Sequence, residues 1–85
     1  MPHIEIYTQA FCPYCHRAKA LLDRKGAGYE EIDVTMDRKA RAAMSERSYG
    51  GRTVPQIFID GRHVGGSDDL HALDAAGELD TLLAA

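Results

Sequence analysis

The sequence predicts an α/β domain: a four-stranded mixed sheet with helices on both faces. Three observations predict it. Strand-like runs and stretches of helical period follow one another in the order βαβαββα, with an extra helical segment at the C-terminal end. Gln56-Ile57-Phe58-Ile59 has the continuous apolar character of an interior strand. Asp60-Gly61, directly after it, is a strong hairpin signal. A β-α-β start implies a right-handed parallel crossover, and the hairpin adds antiparallel strands, so the sheet is mixed.

Each element has its own signature. From His3 to Thr8, Ile4, Ile6 and Thr8 alternate with His3, Glu5 and Tyr7, which is strand period. After Cys12 the small or apolar residues Cys15, Ala18, Leu21 and Leu22 recur at helical spacing until Gly26. Pro13 suits the first helical position, where its missing N–H is not needed. Tyr29 to Val34 reads as a second strand, and Asp37 can cap a second helix running to about Ser48. Gly50-Gly51 breaks the chain before Thr53-Val54-Pro55. Arg62 to Val64 should return antiparallel to the interior strand. Gly65-Gly66-Ser67 then opens a helix carrying Leu70 and Leu73, and Gly77 sets off last turns holding Leu79, Leu82 and Leu83. This is the layout of the thioredoxin fold, and 85 residues give room for one domain, 1–85.

Composition narrows the function classes. Hydrophobic content of 45% and a charged fraction of 27% are those of a folded globular chain rather than a disordered one. A net charge of −3, with both signs interspersed, carries no footprint for nucleic acid or an anionic membrane. No apolar run approaches the roughly 20 residues that span a bilayer, and the first residues lack the pattern of a signal peptide. A cytoplasmic monomer is expected.

There are only two cysteines, Cys12 and Cys15, and two residues separate them. A bridge across so short a loop removes little entropy from the unfolded chain, so stapling is a poor reading of the pair. Redox or metal chemistry is the better one. Half a zinc site would need a second pair, and His3, His16, His63 and His71 are scattered along the chain. Cys12 to His16 also spells the c-type haem attachment pattern, but the strand-rich order offers no haem pocket. No metal is expected.

A redox dithiol needs unequal sulfurs, and this placement supplies them. Cys12 falls at a helix N-terminus, where unsatisfied N–H groups and the helix dipole favour an anion. Cys15 lies one turn inside, toward the core. Cys12 is therefore the expected nucleophile and Cys15 the resolving thiol. Acidifying a thiol gains little in attack, because intrinsic nucleophilicity falls as the thiolate fraction rises. The clearer gain is as a leaving group, which suits an enzyme that passes disulfides on.

Cys12-Pro13-Tyr14-Cys15, Thr53-Val54-Pro55 and Gly65-Gly66-Ser67-Asp68-Asp69-Leu70, in that order, resemble the dithiol glutaredoxins of the small bacterial class over nearly the whole chain. Thioredoxin typically carries a tryptophan before its cysteine motif, and this chain has none. Monothiol glutaredoxins have serine where Cys15 stands.

The resemblance implies a glutathione-dependent oxidoreductase, with glutathione as co-substrate and glutathionylated or disulfide-containing proteins as partners. It also implies a cis peptide at Val54-Pro55, with the Val54 backbone pairing with the ligand. Thr53, Val54, Pro55, Gly66, Ser67 and Asp68 are then binding residues. Ser67 and Asp68 N–H groups would take the γ-glutamyl carboxylate and an acidic side chain its ammonium. Arg52 occupies a family contact position for the glycyl carboxylate; Arg38 or Arg41 on the second helix can assist it, though both read first as a solvated face. Tyr14 can pack on the ligand. Gln9 stands where many relatives have lysine; it can donate a hydrogen bond but brings no charge. Two rivals remain: a thioredoxin-like reductant indifferent to glutathione, and a dimer holding an iron–sulfur cluster through Cys12 and glutathione, as described for some relatives.

Overall fold

The computed structural model describes residues 2–84. Strand β1 (Ile4–Thr8), helix α1 (Pro13–Arg24) and strand β2 (Glu30–Asp33) form the opening crossover. Helix α2 (Arg38–Arg47), strands β3 (Gln56–Ile59) and β4 (Arg62–Gly65), and helices α3 (Ser67–Ala75) and α4 (Glu78–Leu83) follow. The sheet order is β2-β1-β3-β4, with β1 parallel to β2 and antiparallel to β3, and β3 antiparallel to β4. The expected mixed thioredoxin-fold sheet is the one found.

The sheet buries both faces. Ile4, Ile6, Ile57 and Ile59 point to one side, where Ala18, Leu21, Leu22, Leu70 and Leu79 from three helices cover them. Tyr7 and Phe58 point to the other, where Met44 of α2 and Val34 close a smaller cluster. The Tyr7 and Phe58 rings meet edge to face at 5.8 Å between centroids. All four residues of β3 are buried: Ile57, Phe58 and Ile59 as an apolar run requires of a strand covered on both sides, and the polar Gln56 with them. Each fully buried leucine contributes roughly 1.5–3 kcal/mol by leaving water. Leu22→Ala would cost more than that, because a cavity remains.

Chain breaks are set by local chemistry. Helix α1 ends in a Schellman turn at Gly26 (φ 66°), where Gly26 N–H meets Asp23 O and Ala27 N–H meets Leu22 O, each at 3.0 Å. Asp37 caps α2 by accepting from Ala40 N–H at 2.9 Å. Asp60 (φ 52°) and Gly61 (φ 80°) make the tight hairpin turn, and the Asp60 carboxylate accepts from His3 N–H at 2.8 Å. Ion-paired side chains also tie elements together. Lys25 at the end of α1 holds Asp74 (2.7 Å) and Asp80 (2.9 Å). Arg47 of α2 lies 4.1 Å over the Phe58 ring and grips both oxygens of Glu5.

Candidate active site

The reactive segment starts where β1 runs out. Thr8 ends the strand, and Ala10 N–H is fixed to Thr35 Oγ1 at 2.8 Å. Phe11 adopts φ 58° and is 97% exposed, after which Cys12 returns to extended backbone as the N-cap of α1. A serine or aspartate oxygen commonly caps a helix by accepting from an N–H of the first turn. Here the Cys12 sulfur does so, accepting from Cys15 N–H at 3.2 Å. Pro13 sits at the first helical position and removes an N–H that would otherwise be orphaned.

The two sulfurs differ as their placement on the helix requires. Cys12 is 7% exposed and Cys15 only 1%. Burial pushes the Cys15 thiol up to about 12, with the neighbouring Cys12 sulfur adding to the shift and a backbone hydrogen bond from Gln9 opposing it. Cys15 is thus a neutral thiol at physiological pH, one helical turn from the sulfur at the mouth of the site.

Beside Cys12 lies the loop before β3. The Val54–Pro55 peptide is cis, and the Cys12 thiol points to Val54 O at 3.9 Å. Tyr14, Thr53, Val54, Pro55, Gly66, Ser67 and Asp68 line one recess of about 400 Å³. The residues singled out from the sequence therefore come together from three separate segments. At its far end Gly66 caps α3, leaving the first-turn N–H groups of Ser67 and Asp68 as orphan donors by helix geometry. Asp69 Oδ2 accepts from Gly66 N–H at 2.9 Å, half of a capping box that glycine cannot reciprocate. Gly65 is obligatory here: its φ is 121°, and a Cβ would strike the Asp69 carboxylate.

Gln9 and Arg52 stand apart from that recess. Arg52 lines a neighbouring cavity with Arg38 and Arg41. Arg41 is not simply a solvated side chain, because its guanidinium donates to Gln9 Oε1 at 2.7 Å. That leaves the Gln9 amide NH2 as the group open to an anion. Lys19, the other cation near the thiols, is held by Glu31 at 3.0 Å.

Sequence reasoning passed over two residues that shape the recess. Gln56 donates from Nε2 to Thr53 O at 3.1 Å and pairs through Oε1 with His63 Nε2 at 2.7 Å. The available signal was a lone polar residue opening an otherwise apolar strand. Among the described residues one group has metal-ligand spacing, His3, Glu5 and Glu30, at the opposite end of β1 from Cys12. Arg47 already occupies both Glu5 oxygens.

An unequal, helix-capping dithiol on a mixed sheet defines a thiol–disulfide oxidoreductase of the thioredoxin fold. The family model for glutaredoxin matches residues 4–64. The chain is 57% identical over 83 residues to glutaredoxin 3 of Escherichia coli K12, spanning 98% of this chain and 99% of the relative. Its fold is similar to the solution structure of glutaredoxin from Brucella melitensis, with a TM-score of 0.85 and 57% identity over 98% of this chain and 89% of that one. It is also similar to the crystal structure of a buckwheat glutaredoxin–glutathione complex, with a TM-score of 0.87 and 32% identity over 98% and 77% of the two chains. The chain belongs to the glutaredoxin family.

Proposed function

We propose that the protein reduces glutathione mixed disulfides and protein disulfides with glutathione as electron donor, through Cys12-Pro13-Tyr14-Cys15. The observation that carries this is the recess beside Cys12: it joins Val54, 3.9 Å from the sulfur through its carbonyl oxygen, to the N-terminus of α3. Glutathione is an extended tripeptide with a zwitterion at one end and a carboxylate at the other, and this surface matches that pattern. The γ-glutamyl carboxylate meets the N–H groups of Ser67 and Asp68 beside Gly66. Its ammonium meets the Asp68 carboxylate, since Asp69 is committed to Gly66 N–H. The central residue lies along Thr53-Val54-Pro55 in the manner of an added strand, with Tyr14 packed against it. The glycyl carboxylate meets Arg52 and the Gln9 amide. That the buckwheat relative is a complex with glutathione supports glutathione as the ligand.

The chemistry needs no other group. The Cys12 thiolate attacks the glutathione sulfur of a mixed disulfide; that S–S bond breaks, and the client leaves as a thiolate that takes a proton from solvent. A second glutathione thiolate attacks the glutathionyl sulfur on Cys12, releasing oxidised glutathione and the Cys12 thiolate. With a protein disulfide, Cys12 forms the mixed disulfide with the client. Cys15, losing its proton, then displaces the client and leaves a Cys12–Cys15 bridge, which two glutathiones reduce. The protein works as one domain, in the cytoplasm and as a monomer, without a resident metal.

A glutathione-coupled assay on a small glutathione mixed disulfide tests this directly. Cys12→Ser should abolish turnover, while Cys15→Ser should retain it and lose only the reduction of protein disulfides. Equal loss from both substitutions would overturn the assignment of roles.

A further inference from the structure

Three guanidinium groups share one recess on the flank of the reactive site. Arg38 and Arg41 of α2 and Arg52 of the following loop line a cavity of about 460 Å³, closed by Ala42, Ser45 and Gly51. Among the described residues none of the three lies within ion-pair distance of a carboxylate, and unlike the other unpaired cations, Arg17, Arg24, Lys39 and Arg62, they line one cavity together. Asp37, next to Arg38 in sequence, is engaged in capping α2 through Ala40 N–H. Three like charges held together without a counter-charge run against the net charge of −3 and against mutual repulsion.

The position of the recess says what it faces. Arg41 reaches Gln9, three residues before Cys12, and Arg52 precedes Thr53-Val54, whose Val54 carbonyl lies 3.9 Å from the Cys12 sulfur. The recess therefore abuts both segments that carry and flank the nucleophile. In the reading above, the glycyl carboxylate neutralises only one charge, at Arg52 and Gln9. Arg38 and the outer side of Arg41 remain for a second anion. The cavity has no aromatic wall on which a base or sugar could stack. A side-chain carboxylate, carried past Cys12 on an extended polypeptide, fits that chemistry.

We propose that this recess docks protein clients bearing aspartate or glutamate beside the reacting cysteine, so that the enzyme prefers disulfides in acidic sequence context. The proposal rests on the reductase reading given above.

The test uses the full-length chain and short synthetic peptides carrying one glutathionylated cysteine. The peptides differ only in whether aspartate, glutamine or lysine flanks it. Because Arg41 holds Gln9, the residue to vary is Arg38. At an ionic strength of about 20 mM the aspartate peptide should exceed the glutamine peptide about 10-fold in kcat/KM, shrinking to about twofold at 300 mM as screening shortens the field. Arg38→Gln should lower the aspartate preference about threefold, and Arg38→Glu should turn it toward the lysine peptide. Arg38→Gln, which adds no charge beside Arg52, should process the small cysteine–glutathione mixed disulfide within about twofold of the wild-type rate. Equal rates on all three peptides, with the small disulfide still reduced, would overturn this proposal alone. A chain that reduces no glutathione disulfide would overturn the reductase reading as well.

Discussion

His63 Nε2 donates to Gln56 Oε1 at 2.7 Å, and this one bond decides how Gln56 is used. With its oxygen taken by the histidine, the Gln56 amide NH2 must donate elsewhere, and it reaches Thr53 O at 3.1 Å and Thr53 Oγ1 at 3.4 Å. The histidine itself packs at a tilt against Phe58, 5.1 Å between centroids, so the chain of contacts runs from the core to the loop beside Cys12.

It follows that Gln56→Leu frees Thr53 without touching the thiols. The expected outcome is a rise of about 3- to 10-fold in KM for a glutathione mixed disulfide with kcat within about twofold, together with a loss of roughly 1–2 kcal/mol in stability. His63→Phe, which keeps an aromatic ring against Phe58 and loses the hydrogen bond, should show the KM effect in part. Steady-state kinetics on both variants check it. A fall in kcat with KM unchanged would place Gln56 in the chemistry instead.

Such couplings mark where sequence legibility ends. Strand β3 could be read as interior because both its faces are apolar, and the inequality of Cys12 and Cys15 followed from one helical turn. Tyr7 was read on the polar side of β1 yet is buried, because α2 covers a second face that a simple alternation does not reveal. The contacts Arg41–Gln9 and Arg47–Glu5 join residues 32 and 42 positions apart. Their meeting depends on how α2 lies across the sheet, which no local spacing encodes. The sequence offered Arg38 or Arg41 as helpers to Arg52, but that all three line one recess depends on the same lie of α2.

The Arg47–Glu5 contact sets a pH dependence of stability. Hydrogen bonding to Arg47 holds the Glu5 carboxyl below the usual glutamate range despite the opposing effect of burial. The folded chain therefore binds the proton later than the unfolded chain as pH falls. Its stabilisation is complete above about pH 4.3 and is lost below it. Arg47→Met should cost about 1–3 kcal/mol at pH 7, between the surface and buried ranges for ion pairs. In urea titrations the gap between wild type and variant should narrow at about pH 3. It should not vanish, since the guanidinium over Phe58 is lost at every pH. A gap independent of pH would refute the electrostatic account.

Cys15 predicts the opposite slope. Its folded value of about 12 stands above the roughly 8.5 of an unfolded thiol, so between these the unfolded chain has released a proton the folded chain keeps. Stability contributed by the neutral thiol is full below that window and falls as pH rises through it. The urea midpoint of the reduced protein should decline between about pH 8 and 10 more steeply than that of Cys15→Ala. Iodoacetamide at about pH 8 should label Cys12 first and leave Cys15 protected until the chain unfolds. Peptide mapping of a brief labelling pulse reads the order, and equal labelling would contradict it.

Phe11 offers a test of backbone strain one residue before the nucleophile. An L-residue in the left-handed region loses about 1–2 kcal/mol, and Phe11 holds φ 58° while 97% exposed, so packing within the chain returns little of that cost. The conformation is imposed by its neighbours: Ala10 N–H is tied to Thr35 Oγ1, and the Cys12 sulfur caps α1. Glycine adopts the same backbone freely but gives the unfolded chain roughly 0.5–1 kcal/mol more entropy to lose. Phe11→Gly should therefore stabilise by about 0.5–1 kcal/mol, whereas Phe11→Val, β-branched and worse suited to positive φ, should destabilise. Urea midpoints at unchanged m-value measure both. A glycine variant less stable than wild type would mean that the Phe11 ring holds the loop by contacts formed in solution, and the strain account would fail.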